Sequence, residues 1–266
     1  AGSQEYYLDP AAVYYPFGIL PWYETATNGM RLGKVPNDFV KIPNSLSSNA
    51  TVVRKADLSI DEDGLATGKL SVDFTGQQAA LRRGENHLQD ETGRKKRLED
   101  EIKAWLPAGS GFELSSIDNW DKTEMPLHLE GTLKLSAFGS PAGKRILIPA
   151  TLFLAPQNKA FQTSDRHNAV YFSFPDEEID DLKFQAPAGY KIETIPVPKA
   201  IKPGPVVAYE LSASQQGSAV EVNRRLAISG LMFPREYYSS LRSFFNTVKS
   251  NDEMQIVFEN AESAKN

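Results

Sequence analysis

Apolar and polar residues alternate along several segments of this chain, the period expected of strands with one buried face. Val52, Arg54, Ala56, Leu58 and Ile60 interleave with Val53, Lys55, Asp57 and Ser59. Asp61-Glu62-Asp63-Gly64 then turns the chain, and residues 65–74 return with Leu70, Val72 and Phe74 on one face. The pattern predicts a β-hairpin whose glycine supplies the positive φ of the turn. Residues 90–106 change to the helical period, with Leu98, Ile102, Trp105 and Leu106 as the stripe, Asp90 as N-cap and Pro107 as the stop. Strands follow at 112–117, 127–137 and 144–149. In the second, Leu127, Leu129, Thr132, Leu133 and Leu135 slip in alternation at Glu130-Gly131, which reads as a bulge at the glycine. Further strands are predicted at 169–174, 181–186, 191–195, 206–214 and 218–228, with the proline-rich run 196–205 as punctuation. Pro234 opens a helix striped by Tyr237, Tyr238, Leu241, Phe244, Phe245 and Val248, and Met254, Ile256 and Phe258 make a last strand.

These periods describe a mainly β protein of the β-rich α+β class. The expected organisation is two β-sandwich or β-sheet domains, each with one packed helix, since no βαβ alternation is visible. The first spans 31–155, with its helix near 90–106. The second spans 156–266, with its helix near 234–249, after an irregular stretch at 156–168. Residues 31–50 are rich in Pro, Asn and Ser and read as a linker or extended crossover. Residues 1–30 stand apart. Tyr6, Leu8, Tyr14, Tyr15, Phe17, Ile19, Leu20 and Trp22 form an apolar, proline-punctuated train that wants cover, whereas chain ends tend to be polar. The segment reads as the end of another domain, with Phe17, Leu20 and Trp22 as candidate binding residues.

Composition narrows the chemistry more than it names it. The 266 residues are 41% hydrophobic and 24% charged, ordinary for a globular chain, with a formal net charge of -5. That charge argues against a nucleic-acid partner. The densest basic run, Arg94-Lys95-Lys96-Arg97, is followed at once by Glu99, Asp100 and Glu101 and reads as a solvated helix face. No window approaches the roughly 18 uninterrupted apolar residues of a membrane-spanning helix, and no secretory leader is readable. Cysteine is absent altogether, which removes disulfides, thiolate nucleophiles and thiolate-bound zinc.

Candidate chemistry is sparse. His87, His128 and His167 lie far apart and share no metal-ligand spacing. Asp61-Glu62-Asp63-Gly64 resembles half a calcium loop without its closing acid and reads as a turn. The acidic cluster Asp176-Glu177-Glu178 with Asp180 and Asp181 reads as a solvated loop. No nucleophile elbow or phosphate-binding glycine loop is present, and no metal or cofactor is expected. Trp105 falls on the helical stripe and reads as core. Trp120, in Asp118-Asn119-Trp120-Asp121, is the best surface aromatic and the candidate for stacking on a sugar. A hydrolase working with paired carboxylates stays open, although no spacing singles out a pair.

The opening motifs carry a family likeness. Tyr6-Tyr7-Leu8-Asp9-Pro10 and Pro16-Phe17-Gly18-Ile19-Leu20-Pro21 resemble the tail of the catalytic domain in bacterial transglutaminase-like proteins, cysteine enzymes of papain-type architecture. Gly76-Gln77-Gln78-Ala79-Ala80-Leu81, Leu98-Glu99, Arg166 with Val170-Tyr171-Phe172, and Ser240-Leu241-Arg242-Ser243-Phe244-Phe245 are similar to their C-terminal portion. The resemblance implies that residues 1–30 are the tail strand and exit segment of such a core, with Asp9 as the acid of a Cys-His-Asp triad. This chain has no cysteine and no histidine before Asp9, so alone it is not expected to be an enzyme. The implied role is a non-catalytic accessory region of a periplasmic or extracellular envelope protein. Its partner would be the transglutaminase-like catalytic domain of the same parent, or an envelope protein or glycan. The alternative is a free-standing glycan- or protein-binding β module.

Overall fold

The computed structural model describes residues 6–32, 38–153 and 161–261. Its strands and helices run β1 (Asn28–Arg31), β2 (Asp38–Lys41), β3 (Thr51–Ile60), β4 (Ala66–Phe74), α1 (Gly76–Asn86), α2 (Glu91–Trp105), β5 (Ser110–Asp118) and β6 (Leu127–Leu135). There follow β7 (Ser140–Ala142), β8 (Arg145–Pro149), β9 (Val170–Tyr171), β10 (Asp176–Gln185), β11 (Tyr190–Thr194) and β12 (Lys199–Gly204). The chain closes with β13 (Val207–Gln216), β14 (Ala219–Ile228), β15 (Met232–Phe233), α3 (Tyr238–Asp252) and β16 (Gln255–Asn260). The architecture is mainly β, as the alternation requires.

One eight-stranded sheet, in the order β12-β13-β14-β10-β3-β4-β6-β5, organises the molecule. Its β3–β4 hairpin turns at Gly64, whose φ of 79° bears out the expected turn chemistry. Strands from either side of residue 156 join where β10 lies parallel to β3, from Glu177 opposite Thr51 to Gln185 opposite Ser59. A parallel pair needs a long crossover, so hairpin reasoning along the sequence could not place these two strands side by side. A second sheet, β11-β16-β8-β7, likewise pairs β8 with β16 across the same point.

One hydrophobic cluster runs through both halves, and Phe138 stacks on Phe184 of β10 with centroids 5.8 Å apart. In β3 the residues facing this cluster are buried and those between them face outward, the arrangement of a sheet wet on one side. Each buried Leu, Ile or Phe of this kind contributes roughly 1.5–3 kcal/mol.

Several local expectations hold and others need correction. Helix α2 starts where Asp90 accepts the Gly93 N–H at 2.7 Å, and Leu98 and Ile102 are its buried residues. Helix α3 follows a short 3-10 turn after Pro234. The first half carries a further helix, α1, which the apolar period misses because its buried residues are mostly polar (Gln77, Gln78, Arg82, Arg83 and Asn86), with only the small Ala79 and Ala80 beside them. No bulge sits at Gly131. Strand β6 alternates without a break, with Gly131 inward, and the irregularity lies in β5 between Leu114 and Ser116. The glycine is there for space: a Cβ would come within 2.5 Å of the Phe112 ring and of the Glu113 carbonyl oxygen. The proline-rich run holds β12, an edge strand, where missing ladder donors are tolerated. Tyr6 to Asp9, expected as a strand, pairs with no strand among the described residues.

Candidate functional site

The N-terminal segment is half covered by the chain itself. Tyr14 packs its ring 5.8 Å from His87 beside α1, and the Leu20 carbonyl accepts from Gln77 Nε2 at 2.5 Å. Tyr14, Tyr15, Ile19 and Leu20 are therefore half-buried, and burial, with Tyr23 and Glu24 nearby, pushes the Tyr15 hydroxyl up to about 12. The outer members stay in water. Phe17 is 62% exposed and Trp22 38%, and Leu8, Val13 and Tyr23 are exposed as well. Within residues 31–50, expected as a linker, Asp38–Lys41 instead forms β2, paired antiparallel with β1 so that Met30 lies opposite Phe39, both exposed. An isolated pair of strands is marginal in water, and this one leaves both of these large apolar side chains exposed. A shallow groove of about 260 Å³ runs between Tyr6, Ile19, Ile42 and Leu46.

Asp9 stands at the margin of this surface. Its Oδ1 accepts from the Ala11 N–H at 2.9 Å, a local turn. Glu24 lies near it, and burial together with the charge of Asp9 raises the Glu24 pKa. Asp9 and Glu24 are thus a contiguous acid pair, a relation that the long intervening stretch hides from the sequence.

Trp120 is half-buried and packs against the core, and the Arg94 guanidinium lies 4.6 Å from its ring centroid. A groove of about 390 Å³ opens beside it, lined by Glu91, Arg94, Lys95, Ser116 and Asp121. With core on one side and a cation over the ring, the indole is engaged as a cation–π partner within the fold. Trp105, expected in the core, packs edge-on to Phe74 and Phe153.

The main surprise lies inside the large sheet. Asp180 of β10 sits directly opposite Arg54 of β3 and Arg224 of β14. Arg54 Nε donates to Asp180 Oδ1 at 2.5 Å, and its guanidinium lies 4.3 Å from the Phe153 ring centroid. Arg224, 1% exposed, donates to Asp252 through Nε at 2.8 Å and Nη2 at 3.0 Å, and through Nη1 to Asp180 and Glu178. Tyr209 completes the set by donating its hydroxyl to Asp252 at 2.7 Å. Burial works against the charge on Arg224, but Asp252, Asp180 and Glu178 outweigh it and raise its pKa. The acidic cluster at 176–181 is therefore not a solvated loop; it is the first half of β10, and cations on strands distant in sequence draw it inward. Asp176 has Gln78 as its side-chain partner at 3.2 Å, and burial beside Glu178 pushes it up to about 7. A signal for this network existed, since Arg54 and Arg224 occupy inward slots of otherwise apolar alternations.

On the outer face His128 bonds Asp73 at 2.7 Å and Glu130 at 3.3 Å. Burial lowers its pKa, but the two carboxylates outweigh it and the net shift is upward. Among the described residues no group of three or more His, Asp or Glu is arranged to hold a metal ion. Nor is any helix of the described residues long and apolar enough to cross a membrane.

Comparison with known proteins adds a family match over part of the chain. A profile described as a domain of unknown function with a solved structure, DUF3858, matches residues 144–258. That span runs from the start of β8 into β16 and includes Asp180, Arg224 and Asp252 but not Arg54. No curated protein matches the sequence. Among solved structures, one described as "a putative protease" from Parabacteroides distasonis is 18% identical with a TM-score of 0.37, covering 43% of this chain and 23% of that one.

Proposed function

We propose that this chain is a non-catalytic accessory region of a transglutaminase-like envelope protein, and that its N-terminal surface docks on the catalytic domain of that parent. The observation that carries this reading is that Leu8, Val13, Phe17, Met30 and Phe39, all within the first forty residues, are left in water. Large apolar side chains exposed at this density along one stretch of chain are what an interaction surface supplies. The motifs of residues 6–10 and 16–21 support the choice of partner, since they resemble the segment that closes such a catalytic domain. The chain supplies no thiolate, so any acyl transfer by the parent belongs to the docked domain. A periplasmic or extracellular setting goes with the same likeness.

The test is association with a separately produced transglutaminase-like catalytic domain, measured by calorimetry. Binding in the micromolar range is expected, with a loss of about tenfold for Phe17→Ser or Phe39→Ser, since buried aromatic anchors dominate such interfaces. Both residues are exposed, so neither variant should disturb the fold. Absence of association at about 100 µM of each partner would overturn the reading.

A further inference from the structure

We propose that Arg83 is the positioning residue that presents Phe17, acting through the loop that follows β5. The inference deepens the docking reading and rests on it for its functional meaning, while its geometry stands alone. Arg83 is fully buried in α1. Its Nε donates to the Trp120 carbonyl at 2.9 Å, and its Nη2 is shared among the carbonyls of Asn119 at 2.8 Å, Lys122 at 3.0 Å and Met125 at 3.1 Å. One guanidinium thus gathers four backbone oxygens of a seven-residue stretch. A loop has no ladder to satisfy its carbonyls, and buried ones must find donors. The rigid, multi-donor fork of arginine meets several at once, which the compact ammonium of lysine does not.

The turn is closed further by Asn119, in the left-handed region at φ 60°, whose Nδ2 donates to the Pro126 carbonyl at 3.2 Å. Its product is the placement of Glu124. Exposed at the tip, Glu124 accepts the Phe17 N–H through Oε1 at 2.9 Å, across 107 residues of sequence. Gln77, also on α1, holds the Leu20 carbonyl. The stretch 17–20 is therefore tethered at both ends to one helix, directly by Gln77 and indirectly by Arg83. With its backbone fixed from behind, the Phe17 ring faces solvent already oriented, which lowers the ordering cost of binding.

The test uses the full chain and amide hydrogen exchange followed by NMR. Glu124→Ala should speed exchange at the Phe17 amide about tenfold while the unfolding midpoint stays put, because Glu124 is exposed. Glu124→Gln keeps an acceptor oxygen and should restore protection, a rescue that a merely structural loop would not give. Arg83→Met should release Phe17 together with the loop amides of Lys122 and Met125, and Arg83→Lys, which keeps charge without the fork, should do so in part. Unchanged Phe17 exchange in Glu124→Ala, or in a folded Arg83 variant, overturns the inference. Failure of both Arg83 variants to fold also overturns it, since Arg83 would then serve the global fold. The docking assay on the same variants separates the two ideas. Exchange effects without association of even the unaltered chain keep the positioning role and remove the docking reading. Association of the unaltered chain that is indifferent to Glu124→Ala keeps the docking reading and overturns the claim that presenting Phe17 serves it.

Discussion

Arg224→Met is the sharpest perturbation of this fold. The side chain is 1% exposed and holds Asp252 through two hydrogen bonds and Asp180 and Glu178 through Nη1. Methionine keeps most of the stem but leaves Asp252 with the Tyr209 hydroxyl and leaves Asp180 and Glu178 to share Arg54. Removing one partner of a buried ionic set costs about 3–5 kcal/mol, because the remaining charges stay desolvated. Against a total stability of about 5–15 kcal/mol, this is a large fraction. At roughly 2–4 °C per kcal/mol for a chain near this size, the midpoint should fall by about 10 °C. The loss should also depend on pH. Burial already holds the Asp252 carboxyl above its ordinary value and Arg224 pulls it down, so without Arg224 it rises further, and the penalty is full at pH 7 and shrinks as pH falls through the raised value. Urea unfolding at pH 7 and pH 5, with far-UV circular dichroism as the signal, measures both effects. A loss below about 1 kcal/mol at pH 7, or an equal loss at both pH values, would refute the account of a mutually compensating network.

Three further outcomes are expected. Asp176, at about 7 in the folded chain against an ordinary 3.8, has a raised pKa. Its ionisation costs stability, by about 1.4 kcal/mol for each pH unit climbed between about pH 4 and pH 7, and the cost is constant above. Asp176→Asn should therefore stabilise the protein at pH 8 and leave it nearly unchanged at pH 4, and the same gain at both would contradict the assignment. For His128, also raised, the stability from Asp73 and Glu130 is present below its unfolded pKa of about 6.5 and lost as pH rises through the folded value. In an NMR titration Asp73→Asn should lower the His128 midpoint. Gly131→Ala should cost about 1–3 kcal/mol by overpacking, and in a double-mutant cycle with Phe112→Ala the coupling should offset only part of that cost, since the Glu113 carbonyl contact remains. Coupling equal to the whole Gly131→Ala cost would assign the strain to the ring alone.

Alternation and capping are local properties, and the sequence by itself determined what depends on them. The β3–β4 hairpin with its turn glycine, the Asp90 cap of α2 and the stripe of α3 were all readable because each is encoded within about twenty residues. So was the unusual apolar character of Tyr6 to Trp22. Only the tertiary structure decided what those elements touch. Parallel pairing of β10 with β3 joins residues as distant as Asp180 and Arg54, and its only local mark is an arginine in an inward slot that does not name its partner. That pairing turns an acidic stretch that looks solvated into the centre of a buried ionic row. Helix α1 is silent in the sequence for the same reason, since its inward face is mostly polar and its partners, the Leu20 carbonyl and the loop after β5, come from elsewhere in the chain. Hydrophobic periodicity reports how a segment meets water. The pairing of buried charges and carbonyls depends on which segments meet one another, and that is fixed only when the chain has folded.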